Sequence, residues 1–428
     1  MRRWQWGGRG GPAMASRIPD TGAVARPPTP TTPGLDGQGA FSIVSASRIG
    51  DANRRRILQM LFDLGPVSRA ELARRTGSKR TTISGIVQPL LDAGLLAEEE
   101  PSGRKGVGKP ARPLWFSPQS PPVCAVVLMH DHVRSALVDL TGRTSAIHEA
   151  AFEGPRTTQG AYIDTLQGCI DRTLAGSAKP PMGLGVAVGG LLDPDTGRIA
   201  AMNLAPSLAG FDLRGTLKRR YGLDTIVDHH PRAILLGERW FGEGRGLRDF
   251  AVIYADEVLG CSLYLNGRPF RGPHGSGGEL GHTVVDMNGR TCTCGRQGCW
   301  ETVATLPRLR DHAREAGLER ADALGPGELA HMADADPRAA AVFARYARDL
   351  AVGMANLQTL LMPDDFIVYG AATQGGPRLA ILLSEELRRL ALSVRSSALS
   401  VRFGRDEQAT TLRGAAGLVI SDKLEITY

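Results

Sequence analysis

Four side chains that bind transition metals crowd into one short stretch of the sequence: His282, Cys292, Cys294 and Cys299, in the spacing H-x9-C-x-C-x4-C. Three thiolates and an imidazole make a closed tetrahedral Zn2+ site. Gly281, Gly289, Gly295 and Gly298 are interleaved with them and let the chain turn sharply enough to bring the four together. Because protein atoms fill every position, none is left for an activated water, so the expected cofactor is one structural zinc per chain and not a catalytic one. The alternatives are a disulfide, to which the short C-x-C loop is poorly suited, and unmetallated core thiols. With only six cysteines in 428 residues, a metal site in a reducing compartment fits better than a disulfide framework.

The second chemistry is polyanion binding. The formal net charge is +7, but residues 1–115 hold 18 Lys/Arg against 9 Asp/Glu, whereas residues 116–428 hold 33 against 35. A basic head on a nearly neutral body points to nucleic acid as the partner of the head. Lys79, Arg80, Thr81, Thr82 and Ser84 open a helical pattern, where side chains reach base edges and backbone amides face phosphates. Arg104, Lys105, Lys109 and Arg112 lie between two strand-like runs, the place of a wing that follows the DNA backbone or minor groove. The alternative, the solvated face of a helical cap, is disfavoured by the clustering of these residues on one helix and one loop.

Positioning these groups takes more than one folded unit, and 428 residues is about three domains of ~150 residues. Residues 1–45, with 6 Pro and 8 Gly, are expected to form a disordered tail, since they bury too little to offset chain entropy. Residues 46–117 are expected to form a winged helix-turn-helix. Ile57, Leu58, Leu61 and Phe62 fall at helical spacing before Gly65-Pro66. Ser68 and Glu71 read as a capping box for a short second helix that stops at Gly77. A third helix runs to Ala93-Gly94 with Pro89 inside it, and Leu95–Glu100 pairs with Leu114–Phe116. Residues 123–428 alternate short β-rich runs (Val123–Met129, Met182–Val188, Phe250–Tyr254, Asp365–Tyr369) with helical patterns over 161–175, 231–242, 339–361 and 377–391, which is α/β and fits two lobes. No run of ~18 apolar residues occurs and the first residues lack the apolar core of a signal peptide, so a cytoplasmic protein with no membrane partner is expected.

Residues 48–116 resemble the N-terminal winged helix of repressors in the ROK family (repressors, open reading frames and sugar kinases), through Ser68-Arg-Ala-Glu-Leu-Ala-Arg-Arg-Thr-Gly77 and Leu91-Asp-Ala-Gly-Leu95. More specifically, Gly278-Glu-Leu-Gly-His282 followed by Cys292-Thr-Cys-Gly-Arg-Gln-Gly-Cys-Trp-Glu301 resembles that family's signature nearly letter for letter. The resemblance implies that residues 123–428 form a two-lobed, ribonuclease-H-like domain of the sugar-kinase and actin type, with a zinc loop over 282–299 and a sugar between the lobes. It implies that Glu279, His282 and Glu301 hold sugar hydroxyls, and that Asn203 is a further sugar contact.

The same resemblance argues against phosphoryl transfer, which needs glycine-rich turns around phosphate and a base for the hydroxyl proton. The family's first phosphate loop falls on Val127, Met129 and Asp131, its second on Asp256-Glu-Val-Leu-Gly260, and its catalytic Asn-Asp pair on His229-His230. No catalytic residues are therefore expected. His230 would hydrogen-bond a hydroxyl, pair with an acidic ligand or fill the cleft. The function expected is a sequence-specific, DNA-binding transcriptional regulator of carbohydrate-related genes, a repressor with a sugar-like effector, acting as a homodimer or homotetramer on double-stranded DNA. The alternatives are an active sugar kinase with an accessory head and a constitutive DNA-binding protein without a small ligand.

Overall fold

The structure, a computed structural model, describes residues 46–98, 112–154, 156–271, 278–392 and 398–426. The expected tail and the wing residues Arg104, Lys105 and Lys109 lie outside the described residues. The head comprises α1 (Ala46–Leu64), β1 (Val67–Ser68), α2 (Arg69–Thr76), α3 (Arg80–Asp92), β2 (Leu96–Glu98) and β3 (Pro113–Phe116). Ile57, Leu58, Leu61 and Phe62 form the buried face of α1, as the helical period requires, and Gly65, at φ 82°, ends the helix. The Ser68 hydroxyl accepts from the Glu71 amide at 3.2 Å. The other half of the expected capping box is replaced: the Glu71 carboxylate pairs with Arg74 and Arg75, its neighbours three and four residues on along the helix. Gly77, left-handed at φ 66°, stops α2. Pro89 sits exposed in the last part of α3. β1 joins the expected hairpin to give an antiparallel sheet ordered β1-β3-β2; two residues are too short to show a period, so the sequence gives no sign of this strand.

The body repeats one plan twice. The first lobe holds β4 (Val123–Leu128), β5 (His132–Val138), β6 (Thr144–Ala151), α4 (Gln159–Ala175), β7 (Leu184–Val188), the small hairpin β8 (Leu191–Leu192) and β9 (Ile199–Ala201), α5 (Leu213–Tyr221), β10 (Thr225–His229) and α6 (His230–Phe241). The second holds β11 (Phe250–Ala255), β12 (Leu259–Leu265), β13 (Arg268–Pro269), α7 (Leu306–Glu315), α8 (Pro326–Met332), α9 (Pro337–Leu361), β14 (Asp365–Tyr369), α10 (Gly376–Leu390), β15 (Ser400–Phe403) and α11 (Glu407–Leu424). The main sheets are ordered β10-β7-β4-β5-β6 and β13-β12-β11-β14-β15. In each, an antiparallel three-strand meander is extended by two parallel strands. The central strands β4 and β11 are buried along their whole length, which is why they read as unbroken apolar runs and not as alternating ones. Among the described residues no helix is long and apolar enough to cross a membrane.

Helices α6 and α11 pack against each other; α11 also contacts β4 and β7 of the first sheet, and α6 contacts β11 and β12 of the second. Their approach is backbone to backbone: a Cβ added at Gly414 would collide with the Ala233 carbonyl, and one at Gly237 with the Thr410 carbonyl. The head docks on the C-terminal ends of this pair. Phe62 stacks on Trp240 with ring centroids 4.7 Å apart and lies 4.1 Å from Phe116. Asp63 pairs with Arg239, Arg245 Nε donates to the Phe62 carbonyl at 3.2 Å, and Arg55 pairs with Glu425 at 2.8 Å. One apolar cluster therefore runs unbroken from Leu72 and Ile83 of the head through Trp240 to Val127 of the first sheet.

Because the α6–α11 contact leaves no room for a methyl group, Gly414→Ala should destabilise the protein by about 1–3 kcal/mol. Gly168→Ala, in α4 with open space around it, should instead stabilise it by up to about 1 kcal/mol. Urea denaturation of the two variants beside the parent measures both signs; equal effects would remove the claim of close packing.

Candidate functional site

A cleft of about 410 Å3 opens between the lobes, within the ~300–1,000 Å3 of small-molecule sites. Its first-lobe wall comes from the turn after β4, the β8–β9 hairpin and the start of α6, and its second-lobe wall from the turn after β11 and the cysteine loop. Glu279, His282 and Glu301 all line it, as do Asn203 and His230. Asn203 Nδ2 donates to Thr293 Oγ1 at 3.0 Å, a hydrogen bond that crosses from the hairpin to the cysteine loop. Burial pushes the Glu279 and Glu301 carboxyls up, and the Glu279 charge adds to the effect on Glu301. Two poorly hydrated carboxylates facing a cleft are strong acceptors for ligand hydroxyls.

Of the roles expected for His230, filling the cleft wall is the one its burial matches. His230 is only 3% exposed and lies edge-on to Tyr254, ring centroids 4.8 Å apart. Its neighbour His229, the residue just before α6, sets Nδ1 3.7 Å from Glu279 Oε1. His229 was therefore missed as a cleft residue. The available sign was its place as the last residue of a strand running into a helix, the position where a side chain turns into the cleft. Burial holds His229 down to about 4 and His230 to about 3, so both are neutral near pH 7. The adjacent carboxylate is paired: Asp228 accepts from Arg232 at 2.7 Å and pairs with Arg271 at 2.8 Å.

Around the turn after β11 and the end of β14, carboxylates take backbone amides. Asp256 accepts from the Ala371 amide at 2.9 Å and from Glu257 N at 2.8 Å, and Glu407 accepts from the Gly370 amide at 3.0 Å. Glu257 itself pairs with Arg310 at 2.6 Å. In the turn after β4, the His132 ring 2.8 Å from Asp131 holds that carboxyl down to about 2. Met129 packs against Gly189, where an added Cβ would meet its sulfur. Glu407 carried no sequence signal, because its partner Gly370 lies 37 residues away.

The ligand atoms of His282, Cys292, Cys294 and Cys299 all lie within 4.8 Å of one another. Cys294 and Cys299 sulfurs are 3.6 Å apart, and Cys292 Sγ is 3.4 Å from His282 Nδ1. A tetrahedron with bonds of ~2.3 Å to sulfur and ~2.0 Å to nitrogen has edges of about 3.5–3.8 Å, so the donors fit one such ion. The Arg296 amide, donated to Cys294, holds that thiol down to about 7, whereas burial pushes Cys299 up to about 12; a divalent ion at the centre would favour thiolates at both. The loop is a tight knuckle in which Gly295 and Gly298 have φ 84° and 72°. Trp300, directly after Cys299, is fully buried, donates to the Asp349 carbonyl at 2.9 Å and fills the space beside Gly353 of α9. Glu301, the next residue, is carried by this anchor and lies 3.3 Å from His282 Nδ1.

In the head, Lys79, Arg80, Thr81, Thr82 and Ser84 are all exposed at the start of α3, while Ile83 and Val87 between and beyond them are buried. Arg112, at the foot of β3, lies 3.7 Å from Glu98, which also holds Arg69.

The sequence profile described as the ROK family matches residues 124–422. Among curated proteins, the xylose repressor of Bacillus subtilis (strain 168) is 25% identical over 342 residues, covering 79% of this chain and 86% of the repressor. Among solved structures, a ROK family transcriptional regulator described as a homologue of the Escherichia coli MLC protein superposes with a TM-score of 0.72 at 24% identity, covering 88% of this chain and 99% of that one. A ROK family glucokinase from Streptomyces griseus in complex with glucose and AMPPNP superposes with a TM-score of 0.59 at 24% identity over 69% of this chain and 98% of its own. These likenesses agree with the two-lobed sugar-kinase fold described above, and the profile spans well over half of the sequence: the chain belongs to the ROK family.

Proposed function

We propose that the protein is a transcriptional repressor of carbohydrate-related genes, in which a winged helix-turn-helix over residues 46–117 reads duplex DNA and a catalytically inactive body over residues 123–428 binds a sugar-like effector. The observation that carries this reading is that one chain joins an exposed polar helix start to a sugar-kinase cleft whose phosphate side is filled by Asp256 and Glu407. The names of its relatives, a xylose repressor and a homologue of a transcriptional regulator, support it.

In the head, α3 enters the major groove, where Lys79, Arg80, Thr81, Thr82 and Ser84 meet bases and phosphates, and Arg104, Lys105, Lys109 and Arg112 follow the backbone beside it. In the cleft, Asn203, Glu279 and Glu301 take ligand hydroxyls, with His229 beside Glu279 and His230 filling the wall behind. His282, Cys292, Cys294 and Cys299 hold one zinc ion, which when bound closes the knuckle. The two heads of a homodimer bind two half-sites, and effector binding changes their spacing. The protein acts inside the cell, without a membrane partner.

The reading is tested by gel shift on the DNA flanking the gene, repeated with D-xylose, D-glucose and N-acetyl-D-glucosamine. The expected result is a salt-sensitive complex that one sugar releases. The Lys79→Ala/Arg80→Ala variant should weaken it by about tenfold or more, the scale of losing a base contact of ~1–3 kcal/mol. No complex at any salt concentration would sink the repressor reading, and a complex that no sugar affects would leave a constitutive DNA-binding protein.

Two further outcomes are expected of the purified protein. Elemental analysis should find about one equivalent of zinc per chain, lost in Cys292→Ser together with a lower melting temperature; a metal-free parent would refute the site. ATP with Mg2+ should neither raise the melting temperature nor be consumed in the presence of any of the three sugars, whereas sugar-dependent turnover would restore the kinase alternative.

A further inference from the structure

Helix α6 touches two parts of the molecule whose relative motion matters, the second lobe and the head. At its start, His229 faces Glu279 at 3.7 Å and His230 meets the Tyr254 ring at 4.8 Å. Both partners belong to the second lobe, on whose strands β11 and β12 α6 also packs. At its end, Arg239 pairs with Asp63, and Trp240 and Phe241 pack on Phe62 at 4.7 and 6.2 Å. All three contacts there are with the end of α1 in the head. Between these ends every residue from His230 to Trp240 is buried.

We propose that α6 is a rigid rod that carries the position of the second lobe, on which it packs from His230 to Glu238, to the head through Trp240. This rests on the effector reading above for its biological use, and on the contacts alone for its mechanics. A helix of twelve residues is about 18 Å long, enough to span from cleft to head without an intermediary. Bending is opposed along its length, because Gly237 and Ala233 meet the α11 backbone with no space between. The exit is locked as well: the buried Glu238 carboxylate accepts from Tyr369 and from the amides of Glu243 and Gly244, at 2.6 and 3.2 Å for the amides. A close-packed element of this kind moves as a body and does not absorb a push at one end. Helix α11 also ends on the head, at Glu425, but it begins at Glu407 on the phosphate side, away from Glu279 and Glu301. His230, at the start of the rod, is one of the contacts through which the second lobe presses on it.

Amide hydrogen exchange of the full chain tests this without knowing the effector or the operator. Tyr254→Leu removes the ring that His230 meets and should change exchange in residues 57–64 of α1 by threefold or more, while residues 144–151 of β6 stay as in the parent. His230→Ala should act in the same direction and serves if Tyr254→Leu does not fold. Asn203→Ala, which breaks a cleft-crossing hydrogen bond away from α6, should leave 57–64 unchanged. Unaltered exchange at 57–64 in both α6-side variants, or an equal change in Asn203→Ala, overturns the rod. In the parent, D-xylose, D-glucose and N-acetyl-D-glucosamine are titrated by calorimetry. A sugar that binds but leaves 57–64 unchanged also overturns the rod while keeping the effector. If none of the three binds, the effector reading fails and the Tyr254→Leu result still decides the rod.

Discussion

The backbone contact between α6 and α11 is the constraint on which the rest of the structure depends. Glycines at 237 and 414 let the two helices approach until a carbonyl of one lies where a side chain of the other would be. That closeness sets how near the two sheets come, since α11 packs on β4 and β7 while α6 packs on β11 and β12. It fixes where the cleft lies, because His229 and His230 stand at the start of α6 and Glu407 at the start of α11. It also gives the head its platform at the opposite ends, where Trp240 and Glu425 meet α1. A looser pair would leave the cleft walls and the head free to shift independently.

The cleft is chemically asymmetric, and the asymmetry follows from the need of buried amides for acceptors. Asp256 and Glu407 meet it at Ala371 and Gly370. On the other side, Glu279 and Glu301 face the cleft, and burial raises both, against an opposing pull of Arg232 on Glu279. That half is prepared for neutral hydroxyl donors. The cysteine knuckle contributes at one remove: by turning sharply at Gly295 and Gly298 and anchoring Trp300 against α9, it sets the height at which Glu301 stands.

Much of this was legible from residue types and local spacing. The Cys3His set, the charge step near residue 115, the α1 face built from Ile57 to Phe62 and the Ser68 and Gly77 caps depend on neighbours within a few residues, so their geometry is written in their spacing. The apolar runs of β4 and β11 announced strands buried on both faces. What escaped were features made by distant partners. Glu71 was read as half of a capping box, yet two arginines on its own helix compete for its carboxylate. His230 was singled out by its place in the family pattern, but a half-turn of chain puts His229 toward Glu279 and His230 into the wall.

The sequence by itself determined the inventory: a basic head, a knuckle of one histidine and three cysteines suited to a metal ion, and the glutamates at 279 and 301 on either side of it. Each of these follows from side-chain chemistry that does not depend on how the lobes pack. Only the tertiary structure decided that Glu407, from the last helix, closes the phosphate side, that His229 and not His230 faces the carboxylate, and that a single buried helix joins the cleft to Phe62 of the head. The physical reason is that hydrogen bonds across 37 residues, and ring contacts between Phe62 and Trp240, exist only after chain entropy has been overcome by packing the two sheets around α6 and α11.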